Sequence, residues 1–291
     1  MNLARLLVGA VGLLLAGTFV EAATEIPPGK WSFVFTDAKG RADRPLRVYT
    51  YRPRACDSKC PLQFVMAGVK RNASQYRDYW ELPADRYGII IVAPEFAQRH
   101  WPRAAGYNLG DVERQGDREK WAFSAIEHLF DEVRDGQADY RIFGHSAGAQ
   151  FIQRMMLFRP DHRAAASVAA NPGWYTMPEW RSDRKIEPFP YSLVGARVGE
   201  KELRRALERR FVLMLGEKDD DPDDENLNKS DGALKQGATR VDRGENFFKA
   251  VTSAASELNV NLAWELVEIP QTAHDGAAMS RQAADLLYGK K

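Results

Sequence analysis

Arg141-Ile142-Phe143-Gly144-His145-Ser146-Ala147-Gly148-Ala149-Gln150-Phe151 decides the fold. Tyr140 to Phe143 form an apolar run of strand length, and Phe151, Ile152, Met155 and Met156 then recur at helical spacing. Between the two periods lies G-x-S-x-G, the pattern of a sharp strand-to-helix turn that lifts a serine hydroxyl above the sheet edge. Gly144 and Gly148 are the residues such a turn needs where a Cβ would collide with backbone. The bland alternative is a glycine-bracketed turn without chemistry. A compatible acid and a histidine downstream argue against it.

Outward from this unit, strand and helix patterns alternate. Before it, Trp31 to Thr36 and Leu46 to Tyr51 read as a hairpin around a loop at 37–43. Leu62 to Ala67 reads as a central strand, Gln75 to Trp80 as a helix, Gly88 to Pro94 as a strand stopped by its proline, and Arg118 to Val133 as an amphipathic helix. After it come strands at 164–170, 211–216 and 262–269, and helices at 200–209, 245–258 and 277–287. The aromatic-rich segment 174–209 reads as an insertion over the carboxyl edge of the sheet. This alternation predicts an α/β fold with a mostly parallel sheet covered on both faces, in one domain over residues 24–291. Ligands of such sheets bind beyond the carboxyl ends of the strands.

With a net charge of +1 on 291 residues, nothing in the charge balance points to a nucleic-acid groove or a polybasic membrane patch, and no nucleic-acid partner is expected. Residues 1–23 carry Arg5, an apolar run from Leu6 to Val20 and the small-residue site Val20-Glu21-Ala22-Ala23, which reads as a signal peptide for a secreted or periplasmic protein. The apolar run is short for a spanning helix of roughly 20 residues, so no stable membrane insertion is expected after cleavage; an uncleaved anchor is the rival. The two cysteines, Cys56 and Cys60, are expected to pair in an exported protein, with a metal site as the rival reading.

A serine hydroxyl is a poor nucleophile unless a base takes its proton, and that base is normally a histidine oriented by a carboxylate. Of the five histidines, His145 is expected to point away from the site, and His128 and His162 have core or surface explanations. His100, in an aromatic loop, is the rival to His274, which sits between the last strand and the last helix. The acid should follow the preceding strand. Asp219 is nearest its end, Asp221 is the second choice, and Asp223, Asp224 and Glu225 read as a solvated loop. Calcium binding by these oxygens lacks a defined spacing.

The order Ser146, Asp219, His274 resembles the α/β-hydrolase family over nearly all of the chain. Gly144-His145-Ser146-Ala147-Gly148, Asn171-Pro172-Gly173-Trp174-Tyr175 and Gly216-Glu217-Lys218-Asp219 resemble the secreted esterases related to polyhydroxyalkanoate depolymerases and feruloyl or acetylxylan esterases. Such enzymes often carry His-Gly where this chain has Ala67-Gly68. The resemblance implies ester hydrolysis through an acyl-enzyme, with no metal or organic cofactor, on a small-molecule or polymeric ester. It implies an oxyanion hole from the N–H groups of Ala147 and Val69. Trp101, Tyr107, Trp174, Tyr175 and Trp180 are candidates to line the substrate pocket. A peptidase or amidase using the same triad, and a non-catalytic binder of glycans or polymers, are the competing functions.

Overall fold

The structure, a computed structural model, describes residues 23–182 and 186–289. The expected signal peptide, Ala23 excepted, lies outside the described residues. Strands β1 (Gly29–Phe35) and β2 (Leu46–Arg52) form the expected antiparallel hairpin. There follow β3 (Leu62–Met66), helices α1 (Ala73–Tyr79) and α2 (Glu81–Tyr87), β4 (Ile90–Glu95) and the short α3 (Arg103–Gly106). Next come α4 (Ala122–Val133), β5 (Tyr140–His145), α5 (Ala147–Phe158), β6 (Ala164–Ala170) and α6 (Glu200–Leu207). The chain continues with β7 (Phe211–Gly216), the short α7 (Asp231–Leu234), α8 (Arg240–Leu258), β8 (Trp264–Ile269) and α9 (Gly276–Tyr288). The strands form one sheet in the order β1-β2-β4-β3-β5-β6-β7-β8, parallel from β4 onward.

The unbroken apolar runs of the central strands follow from burial on both faces. In β3, Phe64 and Met66 join the core shared with α4, α5 and α8, whereas Val65 faces the core shared with α1, α2 and α9. β7 divides in the same way, with Leu213 on the first side and Val212 and Met214 on the second. Segment 174–182 leaves the end of β6 and packs along α5, where Gln153 and Thr176 exchange hydrogen bonds and Arg154 Nε donates to Thr176 Oγ1.

Four boundaries differ from expectation. Pro94 does not stop its strand: it pairs with Val48 inside β4, and because β3 leaves the ladder at Val92, no partner needs the missing N–H. The helix expected at 75–80 is two, joined at buried Trp80. That expected from 118 is a 3₁₀ turn at Arg118–Lys120 and then α4, separated by extended Trp121. α8 begins at Arg240 rather than 245, because Thr239 and Asp242 form a reciprocal capping box.

Candidate active site

Ser146 joins β5 to α5 at φ 57° and ψ −117°, a conformation that non-glycine residues rarely adopt. The turn can be this tight only because of its glycines. A Cβ on Gly144 would lie 2.4 Å from Gly148 O, and one on Gly148 would lie 2.2 Å from Met66 O. The serine N–H donates to Ala170 O at 2.9 Å, which fixes the turn against the end of β6. Ala147 is the first residue of α5, so its N–H is among the free donors at the helix start.

Asp219 and His274 follow the ends of β7 and β8. Asp219 is 4% exposed, and its Oδ2 lies 2.6 Å from His274 Nδ1. Asp220 and Asp221 are exposed, and Asp221 accepts instead from the N–H of Asp223. The loops carrying Asp219 and His274 are stitched together by Lys218 N–H donating to Thr272 O at 2.9 Å. Asp275, directly after His274, caps α9 by accepting from the N–H groups of Ala277 and Ala278. Among the described residues no hydrogen bond joins Ser146 to His274. Such contacts often tighten only with substrate in place.

The other histidines lie elsewhere or are committed. His100 Nε2 accepts from Arg99 Nε. His162 is buried against Met156 and Arg209, and burial pushes its pKa down to about 3. His145 departs from the expectation that it points away: its ring centroid lies 4.5 Å from that of His274. Its Nδ1 is 2.8 Å from Tyr76 OH, and burial first, then the neighbouring His274 and Arg240, hold it neutral.

Two residues at the site were not anticipated. Arg240, 2% exposed, donates from Nη1 to Asp219 Oδ1 at 3.0 Å and from Nη2 to Asp224 Oδ1 at 2.7 Å. Asp224 is therefore not simply solvated: it shares Arg240 with Asp219, whose other oxygen meets His274. Asn171, at φ 50°, accepts from Gly216 N–H at 2.8 Å and donates to Ala273 O at 3.1 Å, tying three loops together.

A cleft of about 220 Å³ opens over the serine, lined by Val69, Ser146, Ala147 and Trp174 among others. Three of the five aromatics expected in its wall are core residues instead. Trp101 is fully buried against Phe96. Tyr175 stacks on Phe247 at 4.4 Å between ring centroids. Tyr107 packs on Phe96 and Phe151 and donates its hydroxyl to Ala67 O at 2.7 Å, bracing the Ala67-Gly68-Val69 loop from beneath. Only Trp174 reaches the cleft; Trp180 packs against the core under Arg181.

Comparison with solved structures places the architecture. The chain is 34% identical to poly(aspartic acid) hydrolase-1 from Sphingomonas sp. KT-1, with a TM-score of 0.82 over 90% of this chain and 100% of the other. The chain belongs to the α/β-hydrolase family. Within the family it is also 32% identical to the LpqC poly(3-hydroxybutyrate) depolymerase of Bordetella parapertussis, with a TM-score of 0.84 over 90% of each chain. A fluorophosphonate-binding serine hydrolase of Staphylococcus aureus, at 12% identity and a TM-score of 0.53, shares the fold alone. No family model matches the chain, and none of the curated proteins compared with it does. The expected bond between Cys56 and Cys60 is present, and among the described residues no helix is long and apolar enough to cross a membrane. Among them, too, no group of three or more His, Cys, Asp or Glu residues is placed to hold a metal ion.

Proposed function

We propose that this α/β-hydrolase is a serine hydrolase that cleaves carboxylic esters through an acyl-enzyme, with Ser146 as nucleophile, His274 as base and Asp219 as the acid. The observation that carries the reading is the 2.6 Å contact between Asp219 and His274 Nδ1, on the sheet edge where Ser146 occupies its constrained turn. Ser146 Oγ attacks the carbonyl carbon while its proton passes to His274 Nε2. Asp219 holds the opposite nitrogen and stabilises the imidazolium. The N–H groups of Ala147 and Val69 receive the oxyanion, which backbone donors can stabilise whether or not a histidine precedes Gly68. Collapse expels the alcohol, which takes the proton from His274. Water then attacks the acyl-enzyme with His274 again as base, freeing the acid and restoring Ser146.

An amidase reading has a specific observation behind it. The solved structure at 34% identity is named for hydrolysis of poly(aspartic acid), a chain joined by amide bonds, and that at 32% for a polyester. A fluorophosphonate probe tests the shared mechanism: Ser146→Ala should abolish labelling and lower kcat by several orders of magnitude without unfolding the protein. Labelling that survived in the variant would overturn the assignment of the nucleophile. Parallel p-nitrophenyl ester and anilide assays then separate ester from amide preference. The intramolecular disulfide supports an exported protein whose mature part, 24–291, is one domain with 174–209 as its insertion. N-terminal sequencing of the protein from an oxidising compartment checks the cleavage after Ala23.

A further inference from the structure

The cleft over Ser146 carries positive charge that nothing in its walls balances. Its charged lining residues are Arg71, Arg103 and Arg240, and no Asp or Glu lines it. Arg240 is matched by Asp219 and Asp224. Arg71 is not: it is 5% exposed, donates only to the main-chain carbonyls of Phe96, Trp101 and Arg103, and leaves its Nε without a partner. Directly behind the lining, Arg154 donates to Asn108 O and Gln150 O, and Arg243 donates to Gly173 O, each with an unpartnered Nη2. Among the described residues none of Arg71, Arg103, Arg154 and Arg243 has a carboxylate within 4.0 Å. Burial lowers the pKa of Arg71, Arg154 and Arg243, that of Arg154 to about 9.

Burying a cation without a counter-ion is costly, and carbonyl dipoles, the Thr176 hydroxyl and the ring faces of Tyr107 under Arg71 and Trp174 under Arg154 offset only part of that cost. Three such cations around one cleft, with the free guanidinium of Arg103 on its rim, make a field that selects an anion. Most of the residues around the cleft are arginines or carry a side-chain amide, so donors for an anion lie on several sides.

We propose that the substrate carries a carboxylate close to the scissile bond, received by Arg103 at the cleft rim within the field of Arg71, Arg154 and Arg243. The proposal rests on the serine-hydrolase reading and specifies its substrate class. The carboxylate has two sources: a pendant group on each unit of a polyanionic chain, or the free acid end of a short oligoester.

The test pairs p-nitrophenyl monoadipate with p-nitrophenyl hexanoate, esters of matched length that differ in one terminal charge. At low ionic strength kcat/KM should favour the monoadipate by about tenfold or more, and about 0.5 M NaCl should erode that preference. Arg103→Gln should lower the ratio by about tenfold, and Arg103→Lys should retain part of it because the charge remains. A ratio at or below one, or one indifferent to both salt and Arg103→Gln, overturns the proposal while leaving the hydrolase reading intact. Failure of that reading looks different, with neither ester turned over and no fluorophosphonate labelling. A further arm separates the sources. Cleavage of oligo(aspartic acid) identifies a pendant carboxylate, whereas a preference for the free-acid 3-hydroxybutyrate trimer over its methyl ester identifies a terminal one.

Discussion

Two histidines in this molecule hold an aspartate at Nδ1, and only one can serve as a base. His274 meets Asp219 at 2.6 Å; His128, on α4, meets Asp37 at 2.8 Å. The difference lies at the other nitrogen. His128 Nε2 is held by Glu119 at 2.9 Å, so the ring bridges two carboxylates. Among the described residues His274 Nε2 has no hydrogen-bond partner, and its side chain is 23% exposed. A histidine–aspartate pair therefore says little about catalysis until the second nitrogen is accounted for. Held from both sides, an imidazole is a structural cation; held from one side and open on the other, it can take a proton and return it.

Breaking the His274 pair should have the largest effect. Asp219→Asn should lower kcat by approaching ~10⁴, because the amide favours the wrong tautomer, while Asp220→Asn and Asp221→Asn leave most of the rate. Steady-state kinetics on one ester decide it, and a crippled Asp221→Asn would move the acid two residues along the loop.

Breaking the His128 pair should act on stability instead. Burial opposes the charged ring, but its bonds to Asp37 and Glu119 prevail and raise the pKa of His128. The charged form thus contributes stability that is fully present below the unfolded value of about 6.5 and is lost as pH rises through the higher folded value. Thermal melts should show Tm falling across that window. His128→Leu should remove the slope and cost about 3 kcal/mol by stranding buried Asp37, with kcat unchanged per folded molecule.

Losing the Cys56–Cys60 bond touches neither histidine, and so calibrates a purely structural loss. With a sequence separation of 4 it closes a small loop, and Cys56→Ser with Cys60→Ser should cost at most about 2 kcal/mol in denaturant melts. The subtlest change sharpens the comparison at the catalytic end. Asp224→Asn removes the counter-charge of Arg240, which then draws on Asp219 alone, and kcat should fall about tenfold, equivalent to ~1.4 kcal/mol, with KM little changed. An unaltered kcat would show that Asp224 anchors its loop and nothing more.

The three residues of the proposed triad were legible in the sequence because each follows a strand end, and parallel strands deliver their carboxyl ends to one edge. Arg240 was not. Arg240-Val241-Asp242-Arg243-Gly244 lacks apolar periodicity, so the helix was expected to begin at 245; the usable signal was the Thr239 and Asp242 capping pair. Trp101, Tyr107 and Tyr175 were misread for a different reason. They fall in irregular segments, where no period indicates which side of the chain faces inward, and large aromatic surfaces favour the core. His145 shows a related limit. Its position beside Ser146 fixed its backbone, but Tyr76, brought near by α1, holds the ring next to His274.

Asn171 sets how this cleft can breathe. Its one side chain accepts from the last residue of β7 and donates to the residue before His274. The loop carrying His274 therefore cannot swing outward without stranding the Asn171 amide and uncovering Gly216, where an added Cβ would meet Thr272 O at 2.4 Å. Local opening at the mouth and fraying at the end of a central strand become one event rather than two. In deuterium exchange the Gly216 amide should report on that event directly. Warming should not first silence a mobile loop on an otherwise intact body; catalysis and the protection of the strand end should disappear together.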